Sequence, residues 1–484
     1  MKPTIKNVSG TLAVALTGLL AGTAQAAIPA VSASFYISGA SAARAIPPAI
    51  AAELCDPAIN DRADYIDSAS SINYRINVCT LKNSAEVPTS IRGLKVAFYS
   101  RSSGGTLFGV RPVAIPQAIK FIDGSTCPAD DGNPATEQIC ATLTADADYT
   151  VPDGTGDGHV PDFGLSDEEP VFGCEVAKEN GPIQCTVAEV AALKTSKVTA
   201  APVYQLPWTI QAGDQLATEL VPPGSPPGTL GNISSVVLAG IFSGNYQSVA
   251  DIKSAMGITP LAGDDTEGLK VCRRTNTSGT QAGHSHLWLG SAYCGTSTKV
   301  ASFIDATFDD NNAANGFPVN YTIVENSSSS NVENCVVGVV ADRGRSIGIN
   351  SLENAPKPGG ANLSIDGIVP SQQTAATGAY RWYAESTLNS NTDTLNNVAA
   401  LNDFINADLT ARATTTQRTQ FRTLFLANVR NPAKIVASGL NGINALPGFG
   451  TPTDPFVATT PVGCTSKFVG QGGSNCKAPL PVFP

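Results

Sequence analysis

Apolar positions fall in short runs separated by glycine, serine, asparagine and proline, and strand-like and helix-like periods alternate along the chain. Phe35-Tyr36-Ile37 reads as a strand that runs into the turn Ser38-Gly39-Ala40-Ser41, and an alanine-rich helical stretch then ends near Leu54. Leu94-Lys95-Val96-Ala97-Phe98-Tyr99 predicts another strand, followed at once by Ser102-Ser103-Gly104-Gly105-Thr106. The apolar run Val236-Val237-Leu238-Ala239-Gly240-Ile241-Phe242 precedes a Gly-Asn turn and an amphipathic helix start around Val249 and Ile252. Cys335-Val336-Val337-Gly338-Val339-Val340 reads as a strand, and residues 399–409 as a helix. Strands alternating with helices, with Gly/Ser turns after the strands, predict an α/β architecture with a mainly parallel sheet. Ligands of such folds sit beyond the carboxyl ends of strands, where these turns fall. Residues 120–160 and 174–200, and a Gly/Pro-rich tail from about residue 446, read as insertions. Pro222-Pro223-Gly224-Ser225-Pro226-Pro227-Gly228 is a stiff connector, and no internal repeat is present.

The first residues follow a different pattern. Lys2 and Lys6 precede an apolar stretch over residues 11–20, and Ala24-Gln25-Ala26 has the small-x-small form of a cleavage site. Residues 1–26 therefore read as a secretory signal peptide, with no cysteine near the cut to carry a lipid. No later stretch approaches the roughly 20 apolar residues of a membrane span, so no membrane insertion is expected after cleavage. The expected location is the periplasm, the cell surface or the medium.

Composition narrows the partners. Charged residues make up 14% of the 484 and the formal net charge is −10, which disfavours nucleic acid and anionic membrane surfaces. An anionic ligand would have to be held by local dipoles and fixed donors. Eleven cysteines in an exported chain suggest bridges Cys55–Cys79, Cys127–Cys140, Cys174–Cys185 and Cys464–Cys476, with Cys272, Cys294 and Cys335 sharing one more bridge. No CxxC spacing supports a zinc or thioredoxin-like site.

The stretch Lys270-Val-Cys-Arg-Arg-Thr-Asn-Thr-Ser-Gly-Thr-Gln-Ala-Gly283 carries the most chemistry. Arg274 offers a planar fork, Ser278 and Thr280 offer hydroxyls, and the helix start at Gly279 frees backbone N–H groups for an oxyanion. Upstream, in order, lie Ser102-Ser103-Gly104-Gly105 and Asp162-Phe163-Gly164-Leu165-Ser166-Asp167. Taken singly, these are an ordinary strand-to-helix turn, an N-cap at Asp167, and an ion pair at Arg274. Taken together, they resemble the periplasmic phosphate-binding proteins of phosphate ABC transporters, which carry Ser-Ser-Gly-Gly, Asp-Phe-Gly-Ala-Ser-Asp and Arg-x-x-x-Ser-Gly-Thr in that order. Ile37-Ser38-Gly39-Ala40-Ser41-Ala42, Ala239-Gly240-Ile241-Phe242-Ser243-Gly244 and Ser346-Ile347-Gly348-Ile349 echo further segments of that family.

The resemblance implies a two-lobed fold with mixed, mainly parallel sheets, a hinge and disulfide-stapled inserts. Lobe 1 would comprise residues 27–205 and 385–484, and lobe 2 residues 206–384. It further implies an interlobe site for phosphate or a similar oxyanion, with Ser103, Asp167, Arg274, Ser278, Gly279 and Thr280 as ligand-binding residues. Ser102 would join them in binding the ligand, no cofactor or metal would take part, and an ABC transporter permease would be the partner if the protein serves transport. Asp167 has a physical rationale of its own: a carboxylate accepts a hydrogen bond from hydrogen phosphate but confronts sulfate acceptor to acceptor. One departure stands out: Ala43-Arg44 replaces the family's Thr-Phe, so Arg44 is an added candidate donor that could admit a larger or more charged anion.

Other motifs carry less. Asp153-Gly-Thr155-Gly-Asp157, with Asp146, Asp148 and Asp162 nearby, resembles a calcium loop but has Gly164 where the bidentate glutamate belongs. His284-Ser285-His286 reads as part of a helix start, and Trp208, Trp288 and Trp382 as core or hinge packing. With three histidines and no Gly-x-Ser-x-Gly elbow, a hydrolase of phosphoric esters ranks behind a binding protein, and behind a structural or adhesive surface protein built on the same scaffold.

Overall fold

The computed structural model describes residues 28–69, 72–116, 119–133, 135–140, 158–173, 191, 193, 198–264, 268–290, 303–304, 321–338, 345–392, 412–437, 442–446, 468–469 and 480–481. The signal-peptide stretch, the helix expected over residues 399–409, most of the calcium-like loop, Cys174, Cys185, Cys294, Cys464 and Cys476 lie outside them.

The fold is α/β, built on one large mixed sheet. Its order is Thr322–Asn326, Lys270–Arg274, Ser346–Ser351, Val198–Gly213, Tyr383–Asn391, Phe163–Ser166, Ala33–Gly39, Lys95–Arg101, Tyr74–Thr80, Ala63–Ile66 and Glu137–Ile139. Two short strands, Gly360–Asn362 and Asn444–Ala445, also pair with Val198–Gly213. Pairing is parallel where Ala33–Gly39 meets its two neighbours and where Lys270–Arg274 meets its own. It is antiparallel through the centre, around Val198–Gly213 and Tyr383–Asn391.

The central strand explains how one sheet serves two cores. Its first part pairs with Tyr383–Asn391, from Asn391 opposite Val198 to Tyr383 opposite Pro207. Its second part pairs with Ser346–Ser351, starting with Ser351 opposite Trp208. Pro207, which has no N–H to give a ladder, sits at the handover. The first core, with Phe35, Phe98, Phe163, Leu206, Phe421 and Phe425, lies under helices Ile46–Leu54 and Thr415–Val429. The second, with Ile210, Leu238, Val271, Tyr321, Ile347 and Trp382, packs against helix Ser235–Phe242. Strand alternation sends Tyr36 and Tyr99 to the opposite face, where they stack with ring centroids 4.6 Å apart in a third core.

The stretch read as a strand at Cys335 is corrected. Cys335, Val336 and Val337 end the helix Ser329–Val337, which Gly338 closes at φ 35°. Ser328 caps this helix by accepting from the Asn331 N–H, and Val332 and Val336, four apart on one face, bury against Cys272. The apolar run at Val236–Phe242 is likewise helical from Ser235, capped by Ser234. Bridges Cys55–Cys79 and Cys127–Cys140 are present as expected, and Cys272 joins Cys335. Of the insertion expected at residues 120–160, Glu137–Ile139 adds an edge strand beside Ala63–Ile66. Trp208, Trp288 and Trp382 are all buried. Among the described residues, no helix is long and apolar enough to cross a membrane.

Candidate functional site

Two sets of parallel strand ends face each other. Ala33–Gly39, Lys95–Arg101 and Phe163–Ser166 end together and deliver residues 40–44, 102–106 and 167–168. Lys270–Arg274, Thr322–Asn326 and Ser346–Ser351 end together and deliver residues 275–280, 327–329 and 352–353. The turns meet closely enough to need glycine. A Cβ at Gly105, where φ is +86°, would come within 2.8 Å of the Ser278 backbone, and one at Gly279 would lie 2.2 Å from Thr106 Oγ1. The Leu107 N–H donates to the Thr277 carbonyl at 3.2 Å across this junction.

Asp167 sits at the meeting point, 1% exposed. Its Oδ2 accepts from Thr106 Oγ1 at 3.0 Å and from Thr280 Oγ1 at 3.2 Å, one hydroxyl from each set of turns. Its Oδ1 is buried with no hydrogen-bond partner. Burial pushes its carboxyl up to about 6, against the opposing pull of the Arg274 charge and the threonine hydrogen bonds. Arg274 is wholly buried, and burial lowers it to about 10, with Asp167 raising it and the like charge of Arg44 lowering it further. Its guanidinium is aimed by the Asn326 carbonyl at 3.1 Å, the Ser327 carbonyl at 3.0 Å and Ser329 Oγ at 3.2 Å. A guanidinium has five N–H groups, so donors remain beyond those that orient it.

The other expected residues divide. Ser278 is the N-cap of helix Gly279–Leu289, accepting from the Gln281 N–H, and Gly279 and Thr280 open the helix. Ser103 is half-buried in the turn, whereas the Ser102 hydroxyl donates to the Asn73 carbonyl at 3.0 Å. Arg44 turns to Glu333, with Nη2 3.0 Å from Oε1, while its Nη1 is buried without a partner. A cavity of about 10 Å³, room for about one water, lies beside Arg44, Gly39 and Ala40. His284 is spent on structure: its Nε2 lies 3.0 Å from the Asn350 carbonyl and its Nδ1 accepts from Trp288, while burial lowers it to about 3. Among the described residues, no group of three or more His, Cys, Asp or Glu is placed to hold a metal ion.

Sequence reasoning missed four members of this corner. Thr106 stands in the quoted turn but was not singled out, although it hydrogen-bonds Asp167. Glu168 is wholly buried, and neither of its oxygens has a partner. It lies against the helix start, since a Cβ at Gly279 would be 3.0 Å from its Oε1. Burial, then Asp167 and Glu169, raise it well above the usual carboxylate range. Glu353 has a shielded Oε2 without a partner, and burial pushes it up to about 8, with Arg44 opposing and Asp167 adding. Tyr204 is wholly buried on the central strand opposite Ser386, and burial raises its phenol well above the usual range, with a Ser386 hydrogen bond opposing and Asp167 and Glu353 adding. The adjacent Ser-Asp-Glu at residues 166–168 was the one visible signal for Glu168; Glu353 and Tyr204 lie in no motif.

No protein-family model matches the chain, and no curated protein does. Among solved structures it is similar to a putative phosphate ABC transporter substrate-binding protein with bound phosphate from Clostridium perfringens, at 12% identity and a TM-score of 0.37, covering 78% of this chain and 93% of that one. It is also similar to an ABC-type phosphate transport receptor from Vibrio cholerae (13% identity, TM-score 0.31, 60% of this chain and 81% of that one). A possible phosphate binding protein from Planctomyces limnophilus is similar at 13% identity and a TM-score of 0.31, over 83% of this chain and 99% of that one.

Proposed function

We propose that the chain is an exported receptor that captures a phosphate-type oxyanion between two lobes and performs no chemistry on it. The observation that carries this reading is Asp167 Oδ1, a buried acceptor left unpaired beside a buried guanidinium and a helix start. An unpaired buried acceptor costs about 1–3 kcal/mol, so a ligand that brings an O–H to it gains that much over one that does not. Hydrogen phosphate has such an O–H and sulfate at neutral pH has none. Arg274, the Ser278–Gly279–Thr280 helix start and the Ser103 hydroxyl would supply donors to the remaining oxygens.

The lobes of the proposal are residues 27–205 with 385–484, and residues 206–384. The continuous strands Val198–Gly213 and Tyr383–Asn391 would be the hinge, and an ABC permease the partner if the protein serves transport. The test is calorimetric titration of the mature protein, stripped of phosphate by unfolding and refolding, with phosphate and with sulfate. Saturable phosphate binding with sulfate silent is expected. No heat from either anion in folded protein would overturn the reading in favour of a scaffold or surface role.

A further inference from the structure

One helix holds both Arg274 and Arg44. Ser329, the first residue of helix Ser329–Val337, accepts from Arg274 Nη1 at 3.2 Å, and its hydroxyl oxygen lies 3.4 Å from that of Ser41. Glu333, four residues on and so on the same face, pairs with Arg44 Nη2 at 3.0 Å. The helix therefore aims the guanidinium of one set of turns and fastens the other set through Ser41 and Arg44. What seats it is small. At its far end the Ser346 hydroxyl donates to the Val336 carbonyl. Its apolar contact is a cluster separate from the three cores: Cys272, Val332 and Val336, with Cys335 packed against them. Two of these four residues are the bridged cysteines, and Cys272 stands two residues before Arg274 on its strand.

This bridge is also the accessible one. Of the six cysteines paired among the described residues, Cys55, Cys79, Cys127, Cys140 and Cys272 are buried, whereas Cys335 is half-buried. Cys335 lines a groove of about 610 Å³, together with Asn331 and Asn334 of the helix and with Val324, Asn326 and Ser327. The Asn326 and Ser327 carbonyls are the ones that aim Arg274. A groove of this volume admits a small molecule, so a thiolate that enters it meets Cys335 while Cys272 stays sealed.

We infer that the Cys272–Cys335 bridge is a redox control on the anion site: a dithiol reductant opens it through the groove, helix Ser329–Val337 loosens, and the oxyanion is held less tightly. This rests on the oxyanion-receptor reading and adds a regulation to that same site. The exchange balances. One thiolate of the reductant attacks Cys335 Sγ, forming a mixed disulfide and expelling Cys272 as a thiolate that takes up a proton. The second thiol of the reductant then displaces Cys335, which also ends as a thiol, and the reductant leaves as a disulfide. Two electrons pass to the protein, and oxidation reverses the step. Ser329 and Glu333 act as positioning residues, through Arg274 and Arg44.

The test titrates phosphate into the mature, phosphate-stripped protein before and after treatment with dithiothreitol under native conditions, with alkylation and mass spectrometry to locate the thiols formed. Cys272 and Cys335 should open before Cys55–Cys79 and Cys127–Cys140. Phosphate affinity should then fall about tenfold or more, the loss expected when a buried guanidinium gives up one charge-assisted hydrogen bond. Reoxidation should restore it, and circular dichroism should stay native throughout. The double variant Cys272→Ala/Cys335→Ala should bind phosphate like the reduced protein and no longer respond to dithiothreitol. Ser329→Ala/Glu333→Gln, with the bridge intact, should weaken phosphate similarly, so the inference does not hang on one variant folding. A bridge that resists dithiothreitol in the folded protein, an affinity unchanged once it is open, or a loss of the native spectrum along with affinity would each overturn this inference and leave the receptor standing. An oxidised protein that does not bind phosphate would overturn both.

Discussion

Asp162 and Asp167 flank one four-residue strand, Phe163–Ser166, and both are sealed from solvent, yet they have opposite surroundings. Asp162 is saturated. Its Oδ2 accepts the Tyr36 N–H at 2.8 Å, and its Oδ1 takes Arg412 at 2.8 Å and Arg418 at 3.3 Å. Asp167 has two threonine hydroxyls on one oxygen and nothing on the other. The same residue type five positions apart thus ties helix Thr415–Val429 to the sheet at one end and leaves an acceptor open at the other. Burial alone does not mark a functional carboxylate; incomplete satisfaction does.

The widest separation should come from breaking each aspartate. Asp162→Ala leaves Arg412 and Arg418 buried without their carboxylate and should cost about 3–5 kcal/mol of stability, read as a fall in the denaturant midpoint. Its effect on ligand affinity in the fraction that folds should be small. Asp167→Asn should do the reverse. It removes a carboxylate that burial disfavours, so the ligand-free protein should gain stability at neutral pH, and discrimination between phosphate and sulfate should fall about 10- to 100-fold. An Asp167→Asn variant that is less stable, or that still rejects sulfate, would erase the contrast.

The pH dependence sharpens the same contrast. The folded value of Asp167, about 6, lies above that of the unfolded chain. The unfolded chain therefore releases this proton first, and the stability due to the protonated group is lost as pH climbs from about 4 through 6, by about 3 kcal/mol in all. Above that it is level. Asp167→Asn should flatten this segment of the stability profile. Selectivity should move oppositely: below pH 6 the protonated carboxyl donates rather than accepts, so sulfate affinity should rise towards that of phosphate. Titrations with both anions between pH 5 and 7.5 would measure it.

Much of this corner was legible because its pieces are local. Asp167, Arg274, Gly279 and Thr280 lie in short motifs, each at a strand end, and parallel pairing brings strand ends together. Cys272 could have paired with Cys294 or Cys335, and only the packing of helix Ser329–Val337 on Lys270–Arg274 shows which. That helix was hidden because its last turn ends in Val336 and Val337 within an apolar run, whereas its evidence is Ser328 and the Val332–Val336 spacing. Arg44 was read as an added candidate donor, and the pairing of its Nη2 with Glu333, 289 residues away, lies beyond any local pattern. Glu353 and Tyr204 were invisible for the same reason: the central strand's register brings Tyr204 opposite Ser386, and no motif predicts that.

The smallest predicted effect tests the comparison within a single turn. Ser102 and Ser103 are adjacent, and the resemblance gives both to the ligand. The Ser102 hydroxyl is already committed to the Asn73 carbonyl at 3.0 Å, tying the turn to the neighbouring loop. Ser103 is half-buried one residue on and makes no such bond among the described residues. Removing a hydroxyl that makes one neutral hydrogen bond changes the free energy by about 1 kcal/mol, so each alanine should have a similar but differently placed effect. Ser102→Ala should lower thermal stability and leave phosphate affinity nearly unchanged, whereas Ser103→Ala should leave stability unchanged and weaken phosphate about fivefold. If Ser103→Ala binds phosphate as tightly as the native protein, the anion does not reach this turn. The oxyanion would then be held from the Arg274 and Thr280 side alone.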